Sequence, residues 1–262
     1  MNRIQIDALE YLPYSMATEY KRGQEIYNQG DPATHLYLVV KGSVKVWRIA
    51  PKGHSIVIGL YLTEELFGES ALTSQERREQ ATAMELTSVM AWSVEQVKHL
   101  MMQRPKLAVA LLSVLATRSS GFLDRVEGFS TGTIAKRLAS ALIHFGERSG
   151  VEAPGGCIRM GPFTHEFLAE YVGTSREVIT HYLTDFRRQG HVVYSRKHIT
   201  IDRAALSEIA AGHWSGAVTE DRSKAGMESA PSPRQSDEED PPSALCCSDA
   251  VATAPAPAPL QR

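Results

Sequence analysis

The sequence predicts an α+β fold in three parts: an N-terminal antiparallel β-roll, one long helix, and a small helical unit that ends in a β-ribbon. Three observations predict it. Short alternating apolar runs punctuated by glycine fill residues 19–93, an apolar repeat at steps of three and four residues runs through 108–129, and two capped helical segments followed by a basic hairpin occupy 164–201.

The roll is read from the runs EIYNQG, HLYLVVKG, SVKVWRI, HSIVIGLY and ATAMELTSVMAWS, with Gly30, Asp31, Pro32, Gly42, Pro51, Gly53 and Gly68 as turn signals. Spacing alone leaves a generic β-sandwich open beside it. Residues 94–129 read as helix, with Pro105 in the first turn of a second helix, where its missing N–H costs nothing. Within it Ala108, Leu112, Leu115, Ser119, Phe122, Val126 and Phe129 form an a/d seam. A parallel homodimer is the expected use of that seam, and packing against its own domain is the alternative. Residues 134–145 form another amphipathic helix, 150–161 a loop into a short strand, and 202–211 a last short helix. The expected domains are therefore a β-roll over 1–104, for which the resemblance below implies a sensing role, a dimerisation helix over 105–130, a helical unit over 131–214, and a tail over 215–262. The tail is rich in Ser, Pro, Ala and acids, too polar to offset chain entropy by burial, so disorder is expected there.

With 262 residues and 43 % apolar content, the chain has room for about two folded units. No unbroken apolar run approaches the roughly 18–20 residues of a membrane span, and the first ten residues lack a basic, apolar leader pattern. No membrane partner and a cytoplasmic location are expected. Cys157, Cys246 and Cys247 are too few and too badly spaced for a disulfide framework, a zinc cage or an iron–sulfur cluster, so no metal site is expected. The net charge of −2 hides an asymmetry: beyond Ser215 eight acids face four bases, which leaves the rest of the chain at +2.

The segment 164–201 reads as a winged helix-turn-helix. Thr164 is a candidate N-cap for HEFLAEYV, Gly173 supplies the turn, and Thr174 with Glu177 reads as a capping box opening a second helix over 175–189. Ile179, Tyr182, Leu183 and Phe186 line its inner face. Ser175, Arg176, Glu177, Thr180, His181 and Thr184 lie at its start or on its outer face. After Gly190, HVVY and HITI flank a basic tip, Arg196 and Lys197. An arginine fork matches guanine O6 and N7, and a glutamate accepts from cytosine N4, so Arg176 and Glu177 are candidate base readers of double-stranded DNA. Arg187, Arg188, Arg196 and Lys197 are candidate phosphate contacts. Taken singly, Glu177 could be only a cap and Arg176 only a surface charge.

Three motifs then carry a resemblance: G-D-P-A-x-x-L-Y-L-V-x-x-G at 30–42, F-G-E-S-A-L at 67–72, and T-S-R-E-V-I-T-H at 174–181. Over 19–211 the chain resembles the cyclic-AMP receptor protein and FNR superfamily of bacterial regulators. The resemblance implies a cyclic-nucleotide-binding-like β-roll, a long dimer helix and a DNA-reading winged helix-turn-helix. It also implies a TGTGA-like palindromic target, with Arg176 and Glu177 as the reading pair and His181 where the cyclic-AMP branch commonly has Arg. The loop 153–157 matches the region where relatives touch RNA polymerase, which makes activation a natural role. Gly68, Glu69 and Ser70 would open a phosphate cassette. Where the cyclic-AMP branch has Arg-Ser, this sequence has Glu79 and Gln80, and a carboxylate beside a phosphate is repulsive, so a cyclic nucleotide is disfavoured. Arg118 and Ser119 replace the usual Thr-Ser on the dimer helix.

Arg77 and Arg78 could instead serve an acidic metabolite such as 2-oxoglutarate, as in the nitrogen-regulator branch. The plain alternative is two solvated arginines and a sensor without an effector. The iron–sulfur branch needs N-terminal cysteines, absent before Cys157, and a haem site would need His35, His54 or His99, each better read as an ordinary histidine. The rival function is a cyclic-nucleotide-type signalling subunit with a protein-binding C-terminal module. An enzyme is not expected: no H-E-x-x-H, G-x-S-x-G or phosphate-loop motif is present.

Overall fold

The computed structural model describes residues 11–51 and 53–213. The expected tail over 215–262, with Cys246 and Cys247, lies outside the described residues. Eight strands come first, β1 (Thr18–Tyr20), β2 (Glu25–Tyr27), β3 (His35–Lys41), β4 (Val44–Ile49), β5 (Ser55–Tyr61), β6 (Leu66–Phe67), β7 (Gln80–Ala83) and β8 (Thr87–Ser93). They form two four-stranded antiparallel sheets, ordered β1-β8-β3-β6 and β2-β7-β4-β5. This is the roll the apolar runs predict, with β1 and β6 in addition. Alternation drives it: Val39, Val44, Val46, Phe67, Ala81 and Val89 turn inward between the sheets, and the register pairs Leu36 with Trp92 and Leu38 with Met90.

Two helices follow, α1 (Val94–Gln103) and α2 (Pro105–Thr131). Ser93 and Gln96 close a reciprocal capping box at the start of α1, and Pro105 opens α2 as expected. The first turns of α2 bury Leu107, Ala110 and Leu111 against Leu36, Trp92 and Val97. Beyond Leu111 no described side chain of α2 is buried. The open stripe is centred on Val109, Leu112, Leu123 and Val126, 51 to 67 % exposed, with Phe122 and Phe129 beside it. Leu115, expected in the seam, is half-buried, and Val109 and Leu123 were not expected there. No unbroken apolar run reaches the length of a membrane span, as read from the sequence, but the mean composition of α2 is another matter. By length and composition alone, Pro105–Ser130 qualifies, with a mean hydropathy of 1.3 over its best window. Small Ser, Thr and Gly residues break the run to the eye without lowering the mean much.

The C-terminal unit comprises α3 (Ile134–Ser149), β9 (Val151–Ala153), β10 (Cys157–Met160), α4 (His165–Val172), α5 (Arg176–Arg188), β11 (Val192–Tyr194), β12 (Ile199–Asp202) and α6 (Arg203–Ala211). The expected loop over 150–161 is instead a hairpin, since β9 and β10 pair around a 3-10 turn and extend the wing into a four-stranded sheet, β11-β12-β10-β9. Left-handed Gly155 and Gly156 make that turn, which is why it reads as a loop. Ala135, Leu138, Leu142 and Phe145 form the buried stripe of α3, at helical spacing. Phe145 sits at the centre, its ring 4.7 Å from that of Tyr171, 4.8 Å from Phe163 and 5.6 Å from Phe167.

This core continues into the roll, because Val57 and Leu60 of β5 belong to the same cluster. Polar contacts line the seam between the two units. Arg125 of α2 donates to the carbonyls of Ile58 at 2.8 Å, Val57 at 2.9 Å and Tyr171 at 3.2 Å, while its guanidinium lies 4.1 Å from the Tyr171 ring centre. Lys45 pairs with Glu170 at 3.0 Å, and Arg148 donates to the Leu60 carbonyl at 2.8 Å and pairs with Glu65 at 2.5 Å. The reading unit is thus docked on β4 and β5 of its own chain.

Phe145→Ala removes the ring on which three aromatic neighbours converge. Its expected cost is about 3–5 kcal/mol, seen as an earlier midpoint in urea unfolding followed by tryptophan fluorescence and far-ultraviolet circular dichroism.

Candidate nucleic-acid interface and effector cassette

The interface is built by caps and turns before any charge is considered. Thr164 Oγ1 accepts from the Phe167 N–H at 3.1 Å, as expected, and Gly173 closes α4 with φ of 75°. A Cβ on Gly173 would lie 2.7 Å from Phe129, so the turn and the end of α2 are in direct contact. The capping box expected from Thr174 and Glu177 does not form. Ser175 is the N-cap, its Oγ accepting from the Val178 N–H at 3.4 Å, and this moves Glu177 inside the first turn. There the Glu177 carboxyl is held below the ordinary carboxylate range by its own backbone N–H and then by Ser175.

The inner face of α5 buries Ile179, Tyr182, Leu183 and Phe186 as expected. Arg176, Glu177, Thr180, His181, Thr184 and Arg187 are exposed on the opposite side. Two of these hydroxyls are already engaged, since Thr180 donates to the Arg176 carbonyl and Thr184 to the Thr180 carbonyl, both at 2.8 Å. On the wing, Ser195 Oγ accepts from the His198 N–H and organises the turn that exposes Arg196 and Lys197.

Two residues of this face escaped sequence reasoning. His165 Nδ1 lies 2.8 Å from Thr180 Oγ1, and its ring stands edge-on to Tyr194 of the wing at 5.5 Å. With Thr164, Glu166 and Arg176 it lines a notch of about 560 Å³. Burial, then Arg176, holds the His165 ring below the ordinary histidine range. The second is Asp185, only 4 % exposed, which accepts from Arg188 at 2.6 Å and lies 3.4 Å from His181 Nε2.

The cassette residues are brought together in the roll, with different roles for the two neighbouring arginines. Arg77 is 2 % exposed and donates to the Gly68 carbonyl at 2.7 Å, to Ser70 Oγ at 3.2 Å and to the His35 carbonyl. Its guanidinium lies 4.2 Å from the centre of the Tyr27 ring. Arg78 is exposed. The option of two solvated arginines therefore fails for Arg77, while its neighbour, at the start of a bend before β7, stays in solvent. Glu79 accepts from the Ser70 hydroxyl at 2.5 Å, and Gln80 is buried on β7. From α2, Arg118 pairs with Glu69 at 2.8 Å, donates to the Leu66 carbonyl and lies 4.7 Å from the centre of the Tyr61 ring, whereas Ser119 is exposed. Tyr27, Tyr37 and Phe67 stack beneath, and the Tyr27 hydroxyl and Arg77 Nε are buried without a hydrogen-bond partner among the described residues.

Comparison with known proteins agrees with both halves. Residues 17–104 match the cyclic nucleotide-binding domain and 136–209 the Crp-like helix-turn-helix domain. A global nitrogen regulator of Synechococcus elongatus is 31 % identical over 72 % of this chain and 87 % of its own length. A cyclic AMP receptor protein of Thermus thermophilus is 32 % identical over 75 % of this chain and 88 % of its own. Among solved structures, FixK2 from Bradyrhizobium japonicum shares the fold with a TM-score of 0.67 at 21 % identity, covering 75 % of this chain and 97 % of that one. The chain belongs to the CRP/FNR family of transcription regulators, and its C-terminal unit is the family's DNA-binding helix-turn-helix. These relatives are named as regulators, not enzymes, and the helix-turn-helix match favours DNA binding over the signalling-subunit alternative.

His144, on α3, shares the behaviour of His165: burial, then Arg148 and Arg125, lowers it from 6.5. A histidine with a lowered folded pKa binds fewer protons folded than unfolded. The stability tied to it is therefore complete above about 6.5 and is lost as pH falls through the lowered value. We expect the urea midpoint to fall between roughly pH 7 and pH 5, and a double His144→Gln, His165→Gln variant to show a shallower fall.

Proposed function

We propose that the protein is a cytoplasmic homodimeric regulator that places α5 in the DNA major groove and reads a TGTGA-like palindrome. The observation that carries this is the row of Arg176, Glu177 and His181 exposed on one face of α5, beside a basic wing tip. Arg176 takes guanine O6 and N7, Glu177 accepts from cytosine N4, and Ser175, Arg187, Arg196 and Lys197 set the register on phosphates. Thr180 and Thr184 contribute oxygen acceptors, since their protons go to backbone carbonyls. The open stripe of α2, with Leu112, Leu123 and Val126 at its centre, pairs two chains in parallel and sets the reading helices about 34 Å apart. The β9–β10 hairpin, with its exposed glycines, offers RNA polymerase a contact for activation.

The effector we propose is an acidic small molecule, of which 2-oxoglutarate is the example, rather than a cyclic nucleotide. Glu79 stands at Ser70 where a phosphate would need a cation, so the residues present do not suit a cyclic nucleotide's phosphate. Arg118, by contrast, already holds a carboxylate, that of Glu69, and sits on the helix that pairs the subunits. Exchange of Glu69 for a ligand carboxylate would act directly on the packing of α2. The similarity to a global nitrogen regulator supports the same class.

Selection from a random DNA pool is expected to return palindromes, and a pool without them would overturn the reading. Leu112→Asp with Leu123→Asp is expected to convert the full chain from dimer to monomer in sedimentation. Affinity for the selected palindrome should then fall at least tenfold, because a single half-site remains.

A further inference from the structure

We infer that His181 reads DNA as a hydrogen-bond acceptor, and that buried Asp185 makes it one. The inference rests on the placement of α5 in the major groove. Asp185 is an ionisable side chain in the wall of a small core, 4 % exposed, and its Oδ1 accepts from Arg188 Nη2 at 2.6 Å. Its Oδ2 lies 3.4 Å from His181 Nε2, one helical turn away. A carboxylate only accepts, so a ring nitrogen lone pair facing it is repelled and a ring N–H is attracted. The partner of one ring nitrogen thereby assigns the other. With its proton on Nε2, a neutral His181 keeps an unprotonated Nδ1 as its remaining polar atom. The side chain is 46 % exposed on the outer face of α5, so that atom is available to the groove.

An acceptor in the major groove has two complements: the N6 amine of adenine and the N4 amine of cytosine. Guanine offers O6 and N7 and thymine offers O4, all acceptors, which set lone pair against lone pair. Arginine at this position would select the opposite way, for guanine. The base pair read by position 181 is therefore predicted to carry adenine or cytosine on the contacted strand, which departs from a target whose third reader is an arginine donor. Asp185 is a positioning residue here: it touches no base and acts through the tautomer of its neighbour.

The test uses the full chain and a set of duplexes built on the selected palindrome, at fixed salt and about pH 8, above the ordinary histidine range. The contacted pair is the one whose preference His181→Ala erases. Wild type is expected to favour adenine or cytosine there over guanine and thymine by about fivefold or more, the effect of one made against one clashing hydrogen bond. His181→Arg should reverse the order toward guanine. Asp185→Asn should flatten the preference at this pair alone, whereas a merely structural loss would weaken every sequence equally. If Asp185→Asn does not fold, nitrogen-15 spectra of the wild-type ring decide, with the proton expected on Nε2. A wild-type preference for guanine at this pair, or a proton on Nδ1, would overturn the inference while leaving the palindrome intact. A selection without palindromes would instead remove the reading of α5 on which it stands.

Discussion

The arrangement of the molecule depends on one half-buried cation, Arg125 of α2. Arg125 cannot shed its charge inside a protein, so its side chain must find oxygen acceptors wherever it is buried. It finds them in three carbonyls, two on β5 and one at the end of α4, with the Tyr171 ring beneath. Burial pulls the guanidinium below its ordinary value, and the carbonyls around it hold the charge in place. Because the donors belong to α2 and the acceptors to the roll and to the helix-turn-helix, one side chain defines the position of three units at once. Lys45 with Glu170 and Arg148 with Glu65 hold the flanks of the same seam.

Arginine does opposite work in the two ends of the chain. In the roll, Arg77 and Arg118 are turned inward and held by carbonyls, Glu69 and aromatic faces. On α5 and the wing, Arg176, Arg187 and Arg196 are displayed to solvent. The same residue type is enclosed where carbonyls and rings surround it and displayed where backbone geometry pushes it out.

Much of this was legible in the sequence, and the failures have physical causes. The long strands announced themselves by alternation, but β1 has three residues and β6 two, too few to show a period. Thr174 and Ser175 are both good caps, and only the three-dimensional path of the turn, with the Thr174 N–H bonded back to Ala169, selects Ser175. The seam of α2 was read from spacing, yet spacing cannot tell which of two adjacent stripes the first turns commit inward; Leu107 and Leu111 make that choice and rotate Leu115 partly away from solvent. Asp185 was invisible because a polar residue on a helix reads as exposed, and its burial is decided by neighbours distant in sequence. Arg77 and Arg78 looked equivalent in composition, and only the path of the chain before β7 turns the first inward and leaves the second in solvent.

The contact between Gly173 and Phe129 has a mechanical meaning. No methyl group fits between the turn that joins α4 to α5 and the ring of Phe129 near the end of α2. A shift of the end of α2 against this elbow would therefore have to move the Phe129 ring or the turn itself, so the long helix and the start of α5 share one point of contact.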